Sequence, residues 1–227
     1  MNTKSDSQIS SDIQNTKGDV VIRRSKCKGR PTMSQNTFYL GKRTIEREST
    51  LYLDLDKTLV FAYSMNDHMS PDMRKKAAHA DFSVQFPIAH GAHERYVVFL
   101  RPGLHKFLAF AAERFELVLF TAASRVYANA IVDALESQRK YFSHRLYREH
   151  CTSAVQSTGE VGFPVKYLSS VADRINTRSY LVDDNPIQTQ ANPGKSILVK
   201  PFEGEAKAGD AELSWLQAAL EALECKF

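Results

Sequence analysis

Apolar and polar positions alternate with two different periods along this chain, and from about residue 49 they mark out a succession of strands and helices. Leu51 to Leu55 (LYLDL) is an apolar run of strand length, and Thr58-Leu59-Val60-Phe61 follows it. Residues 64–80 are polar and rich in Met, His and Lys, which predicts a loop with a short helix. Phe82 to Pro87 alternates with period two and Tyr96 to Leu100 is β-branched and apolar. His90-Gly91 lies between them, the pattern of a β-hairpin. Arg101-Pro102-Gly103 breaks the strand, and Leu104, Phe107, Leu108 and Ala111 then recur at helical spacing to about Arg114. Phe115 to Phe120 (FELVLF) is the near-continuous apolar run of a strand buried on both faces. A helix is predicted over 124–138, with Val126, Ala130, Ile131, Ala134 and Leu135 as its inner stripe. Residues 144–165 read as short strands and turns, and Ser179–Val182 and Ser196–Val199 as further strands. Asp210 to Leu223 reads as an amphipathic helix with Leu213, Leu216, Leu220 and Leu223 inward and Trp215 in the core.

Strands alternating with helices predict an α/β architecture in which a parallel sheet is covered on both faces. Ligands of such sheets sit outside the carboxyl ends of the strands. Three of the predicted strands end in residues capable of chemistry: Asp54-Leu55-Asp56-Lys57-Thr58, Thr121, and Asp183-Asp184-Asn185-Pro186. Carboxylates two residues apart on a strand point to the same side, and Leu55 between them points into the core. That arrangement suits the handling of a phosphoryl group with a metal ion. Alone, the D-x-D-x-T string also fits a strand followed by a polar turn, because Asp and Thr serve turn chemistry. Three such ends on one sheet favour the chemical reading.

At 227 residues and 43% hydrophobic, the chain can bury one substantial core and carry a tail. No stretch approaches the roughly 18 apolar residues needed to cross a bilayer. No secretory h-region follows Met1, and Asp6, Asp12 and Asp19 argue against a mitochondrial presequence. No membrane partner is expected. Cys27, Cys151 and Cys225 are too few and too scattered for a disulfide framework or a structural zinc site, so nucleus or cytoplasm is the expected compartment. The H-x-x-H spacing of His90 and His93 gives too few ligands for a metal, and His144, His150 and Cys151 read as packing or surface residues.

The net charge of +4 is uneven. Residues 1–48 hold ten Lys and Arg against five Asp and Glu, whereas the remainder holds twenty against twenty-one. Residues 1–48 are therefore expected to be a disordered basic tail. Its segment Val21 to Arg30 (VIRRSKCKGR) reads as a solvated tail, or as a nuclear-localisation or nucleic-acid patch. Contact with nucleic acid is expected nowhere else.

With these residues in place, the chain resembles a haloacid-dehalogenase-type (HAD) phosphatase. More narrowly, it is similar to the FCP/SCP-like (NIF-like) small phosphatases of the RNA polymerase II C-terminal domain. The resemblance runs in order through Leu53-Asp54-Leu55-Asp56-Lys57-Thr58-Leu59, Leu100-Arg101-Pro102-Gly103, Val118-Leu119-Phe120-Thr121-Ala122, Arg145-Leu146-Tyr147-Arg148-Glu149, Lys166, and Leu181-Val182-Asp183-Asp184-Asn185-Pro186. It covers residues 49–224 and is specific as a set. It departs at position 184, Asp where many members carry Asn, and in a longer segment between Arg148 and Lys166 that carries Gly159, Gly162 and Pro164.

The resemblance implies a phosphatase domain over 49–227. Its fold would be a HAD-like Rossmannoid three-layer arrangement with a central parallel sheet, a β-hairpin after the first strand and a small β insertion. It implies Asp54 as nucleophile, forming an aspartyl-phosphate, and Asp56 as the acid and base. Thr121 and the N–H of Ala122 would hold phosphoryl oxygens, and Lys166 would neutralise charge. Mg²⁺ would be held by Asp54, Asp56 (through its backbone carbonyl), Asp183 and Asp184. Thr58 and Arg148 are further expected substrate contacts. The expected activity is a Mg²⁺-dependent phosphoserine/phosphothreonine protein phosphatase, with the RNA polymerase II C-terminal domain or a similar extended phosphopeptide as substrate. Phe82, Phe86, Tyr96 and Phe163 are expected to form an apolar groove for peptide side chains. Two alternatives stand beside it: a catalytically silent module of the same fold, as in mitochondrial import-channel subunits, and a phosphatase of small metabolites. The latter usually carries a larger cap domain, and no segment here is long enough for one.

Overall fold

The computed structural model describes residues 37–43, 48–66, 69–155, 161–175, 178–205 and 209–225. The elements begin with β1 (Ser49–Leu53), β2 (Val60–Ser64), α1 (Pro71–Ala77), β3 (Phe82–Pro87), β4 (His93–Leu100) and α2 (Leu104–Arg114). They continue with β5 (Glu116–Phe120), α3 (Arg125–Leu135), β6 (His144–Leu146), β7 (Thr152–Val155) and β8 (Val161–Val165). The last are β9 (Arg178–Asp183), α4 (Pro186–Gln190), β10 (Ser196–Leu198) and α5 (Glu212–Glu224).

Five strands form a parallel sheet in the order β10-β9-β1-β5-β6. β1 sits in the middle with all five residues buried, which is why its sequence is an apolar run rather than an alternation. Strand periodicity then divides the core. Leu51, Leu53, Leu117, Leu119 and Val182 face one side and pack with Phe107 and Leu108 of α2, Ile131 of α3 and Leu216 and Leu220 of α5. Tyr52, Val118, Phe120 and Leu181 face the other side, closed by Phe38, Leu146, Leu168 and Val171. Both faces are covered as expected, but the second cover comes from short turns and residues 37–43 rather than from long helices.

The hairpin β3-β4 is present and takes β2 as a third strand, in the order β2-β4-β3. β7 and β8 form the small β insertion. This is the expected HAD-like Rossmannoid arrangement. Gly103, at φ 79, turns the chain from β4 into α2 in a left-handed conformation that glycine adopts without strain.

Three expectations need correction. Residues 37–43, assigned to the tail, lie on the domain. The Phe38 N–H donates to the Ser170 carbonyl at 2.9 Å, and the Leu40 and Gly41 N–H groups reach the Asp173 carboxylate at 3.2 and 2.8 Å. Val126 is 47% exposed, because the stripe that α3 buries is Ala128, Ile131, Val132 and Leu135, and Val126 lies about 200° round from Ala128. Trp215 is 45% exposed for the same reason, since it falls off the Leu213, Leu216, Leu220 and Leu223 stripe. The basic segment 21–30 with Cys27, and Gly159 of the longer insertion, lie outside the described residues. Among the described residues, no helix is long and apolar enough to cross a membrane.

Candidate active site

Register brings the candidate residues together. Leu53 lies level with Leu119 of β5 and Val182 of β9, so the residues that follow all three strands emerge at one sheet edge. The Asp54 N–H still donates to the Val182 carbonyl at 3.0 Å, which fixes Asp54 beside Asp183. Beyond Asp54 the chain turns tightly. Lys57 is left-handed at φ 62, a conformation uncommon outside glycine. The turn is held by Lys57 N–H to the Val60 carbonyl at 2.6 Å and by Phe202 N–H to the Lys57 carbonyl at 2.7 Å. Arg101 clamps it from behind. Its guanidinium donates to the Thr58 carbonyl at 3.1 Å, pairs with Asp210 at 3.3 Å and lies over the Phe202 ring.

Lys166 is 1% exposed, and its ammonium donates to Asp54 Oδ1 and, at 2.7 Å, to Asp183 Oδ2. Two amides of the α4 region hold its backbone. The Lys166 N–H donates to Gln188 Oε1 at 2.8 Å, and Asn192 Nδ2 donates to the Lys166 carbonyl at 2.6 Å. The Asp183 carboxylate also accepts the Asn185 N–H at 2.9 Å, where Asn185 caps α4 and Pro186 opens it. Thr58 is buried. Its hydroxyl donates to Asp184 Oδ1 at 3.3 Å and accepts the Asp184 N–H at 3.1 Å. Thr58 is not among the residues that line the cavity, and its two hydrogen bonds hold Asp184 in place.

The cavity above these groups has a volume of about 570 Å³. Thr121, Ala122, Ala123 and Ser124 line it ahead of the first turn of α3, so the positive end of an eleven-residue helix opens into it. The Thr121 hydroxyl accepts the Ala123 N–H at 3.0 Å, which shapes this turn. Arg148 stands at the rim, positioned by Nε donating to the Ala122 carbonyl at 2.8 Å. Phe86, Ile88, Tyr96 and Tyr127 form the apolar wall. Of the four aromatic residues expected in the groove, Phe86 and Tyr96 are there. Phe82 packs against the core, and Phe163 is 65% exposed away from the cavity.

The Asp56 carboxyl is raised to about 6, chiefly by burial, with the hydrogen bond from Tyr127 opposing the rise and the Asp54 charge adding to it. For Lys166, burial disfavours the charge, but Asp54 and Asp183 outweigh it and keep the ammonium protonated. Burial and the Asp54 charge push the Asp183 and Asp184 carboxyls up. Oxygens of Asp54, Asp183 and Asp184 all lie within 4.8 Å of one another. One ammonium faces three carboxylates, so negative charge is left over, and the donors are hard oxygens. That set fits a hard divalent cation. The Asp56 side chain stands outside it, hydrogen-bonded to Tyr127.

Sequence reasoning missed Tyr127, Gln188 and Asn192 and gave Arg101 no role. Arg101 left a signal, a charged residue between an apolar strand and Pro-Gly. Tyr127 left a fainter one, an aromatic in the first turn of the helix that follows Thr121. Nothing local marks the two amides.

Comparison with known proteins agrees with this geometry. A family model described as NLI interacting factor-like phosphatase matches residues 49–227. The CTD nuclear envelope phosphatase 1 homolog of Drosophila melanogaster is 30% identical over 180 residues, spanning 79% of this chain and 69% of that protein. CTD small phosphatase-like protein 3 of Caenorhabditis elegans is 35% identical over 128 residues, spanning 56% of this chain and 37% of that protein. Among solved structures, the fission yeast RNA polymerase II CTD phosphatase Fcp1, bound to beryllium fluoride, superposes with a TM-score of 0.53 at 20% identity. The match covers 78% of this chain and 51% of that one, so the chain spans about half the length of this structural neighbour.

Proposed function

The chain belongs to the NLI interacting factor-like phosphatase family, the FCP/SCP-like branch of the haloacid dehalogenase superfamily, and from that premise we propose that it is a Mg²⁺-dependent phosphoserine/phosphothreonine protein phosphatase working through an aspartyl-phosphate on Asp54. The observation that carries this reading is the meeting of Asp54, Lys166, Asp183 and Asp184, drawn from three separate stretches of chain, at the edge of one parallel sheet.

The chemistry follows from the groups present. Phosphate monoesters resist hydrolysis because a nucleophile must approach a dianion. Asp54 is a carboxylate and needs no base to act as nucleophile. Mg²⁺ bound by Asp54, Asp183, Asp184 and the Asp56 carbonyl would neutralise charge on the phosphoryl oxygens. Lys166 adds a fixed positive charge in a dry site, where it stabilises the transition state most. Thr121 and the Ala122 N–H hold phosphoryl oxygens beneath the positive end of α3. Asp56 gives a proton to the leaving oxygen and then takes one from the water that opens the acyl-phosphate. A carboxyl raised by burial suits both roles.

Arg148 and the wall of Phe86, Tyr96 and Tyr127 are the proposed contacts for a peptide flanking the phosphoresidue, with an extended phosphopeptide as substrate class. The RNA polymerase II C-terminal domain is one such peptide. The names of the relatives support it, as they support the nucleus over the cytoplasm as the compartment. The basic segment Val21 to Arg30 remains the proposed contact for any nucleic acid. The aromatic wall also yields a test of substrate class. Phe86→Ala removes a ring that stacks on Tyr96 at 5.6 Å and meets Tyr127 edge-on at 5.9 Å. Its kcat/KM should fall on the order of tenfold further for phosphopeptides than for 4-nitrophenyl phosphate. Equal losses on both would reject the groove.

The test of the activity compares hydrolysis of 4-nitrophenyl phosphate, phosphopeptides and small metabolite phosphates, with Mg²⁺ and with chelator. Mg²⁺-dependent turnover that favours phosphopeptides is the expected result. Turnover of metabolites alone would identify a metabolite phosphatase, and no turnover of any ester would identify a silent module.

A further inference from the structure

The Tyr127 hydroxyl donates to Asp56 Oδ1 at 2.5 Å, across 71 residues of sequence. Among the described residues this is the hydrogen bond that the Asp56 side chain makes, and both residues line the cavity. We propose that Tyr127 is the positioning residue for the acid–base carboxylate: it commits Oδ1 and thereby leaves Oδ2 to exchange the proton with the leaving oxygen and then with water. This rests on the reading of Asp56 as the acid–base group.

The physical need is clear from the side chain itself. The terminal torsion of an aspartate is broad and nearly two-fold, so nothing intrinsic chooses which oxygen faces a substrate. Proton transfer requires the acting oxygen within hydrogen-bond reach, roughly 2.6–3.2 Å, of the leaving oxygen. A hydroxyl donor on the opposite oxygen removes that freedom. It does so in both states of the cycle. When Asp56 is neutral, Oδ1 is the carbonyl oxygen and still accepts while Oδ2 carries the proton. When Asp56 is ionised, Oδ1 accepts equally well.

Tyr127 can serve as an anchor because it is itself held. It stands on the first turn of α3, and its ring meets Tyr96 edge-on at 5.0 Å and Phe86 edge-on at 5.9 Å, both from the β3-β4 hairpin. The same aromatic wall that lines the groove therefore fixes the proton-transferring carboxylate.

The step balances without any further reactant. An Asp54 oxygen bonds to phosphorus as the bond from phosphorus to the ester oxygen breaks. The electron pair leaves on that oxygen, and the proton on Asp56 Oδ2 joins it. Water then attacks phosphorus, its proton passes to Asp56 Oδ2, and Asp54 is released as carboxylate with inorganic phosphate.

Leaving-group dependence reads this role directly, since kcat/KM reports events up to departure of the first product. Good leaving groups need little protonation and poor ones need much. With Mg²⁺ and aryl phosphates from 2,4-dinitrophenyl to phenyl, Tyr127→Phe keeps the ring and its packing but removes the donor. Its loss of kcat/KM should grow across the series, reaching on the order of tenfold more for phenyl than for 2,4-dinitrophenyl phosphate. Asp56→Asn should show the same trend more strongly. Tyr127→Phe placed on Asp56→Asn should add no leaving-group-dependent loss, because the group it acts through is already gone. A loss uniform across the series, no loss, or full additivity in the double variant would overturn the positioning role. It would leave Tyr127 as a packing or substrate contact. The two readings fail separately. Native protein without turnover rejects the phosphatase assignment itself, whereas native turnover with a uniform Tyr127→Phe loss rejects the positioning role alone.

Discussion

Asp54→Asn should lower phosphoester turnover by at least about 10⁴-fold while the protein remains folded. The substitution keeps the shape of the side chain and removes the nucleophilic oxygen. No other carboxylate can replace it. Asp183 is tied to Lys166 and the Asn185 N–H, Asp184 to Thr58, and Asp56 to Tyr127. Stability should change by less than about 1 kcal/mol, because Lys166 keeps Asp183 as its partner and no charge is left alone. Kinetics at saturating Mg²⁺ together with urea unfolding of both proteins checks the two halves of this expectation.

Lys166→Met should behave differently in both respects. The rate should fall about 10²- to 10³-fold, the loss expected when one fixed electrostatic partner of a transition state is removed. In chelator the variant should also lose about 3–5 kcal/mol of stability, because Asp54 and Asp183, 6% and 1% exposed, then face each other without a counter-charge. Mg²⁺ should restore much of that loss, since the ion would sit among the same carboxylates. Unfolding midpoints of native and Lys166→Met protein, with Mg²⁺ and with chelator, measure this as a double difference. Equal destabilisation under both conditions would indicate that the carboxylates of this edge do not hold the ion.

Much of this architecture can be read from short-range pattern. The buried runs of β1, β5 and β9 are apolar because water reaches neither face, and their polar ends mark the edge where ligands bind. The leucine stripe of α5 follows helical spacing and is buried as expected. What pattern could not reveal depends on contacts distant in sequence. The pairing of β2 with β4 joins a short run to a hairpin more than thirty residues later. Phe38 and Leu40 belong to a three-residue apolar run, Phe38-Tyr39-Leu40, in a polar stretch, too short to announce that they cover the sheet. Tyr127 and Asp56 carry no mutual signature, because a hydroxyl on the first turn of α3 and a carboxylate in the turn after β1 meet only once the sheet has formed. Lys166 was recognisable only by family resemblance. In the fold, its burial between two carboxylates gives it a physical reason.

The most direct measurement of the central idea is a rapid quench of Mg²⁺-loaded protein with an isotopically labelled phosphoester, followed by peptide mapping of the acid-stabilised product. The expected result is one phosphoryl group on the peptide that contains Asp54, appearing and decaying within a turnover and missing in Asp54→Asn. Label on any other side chain, or steady turnover with no labelled peptide at all, would contradict the account.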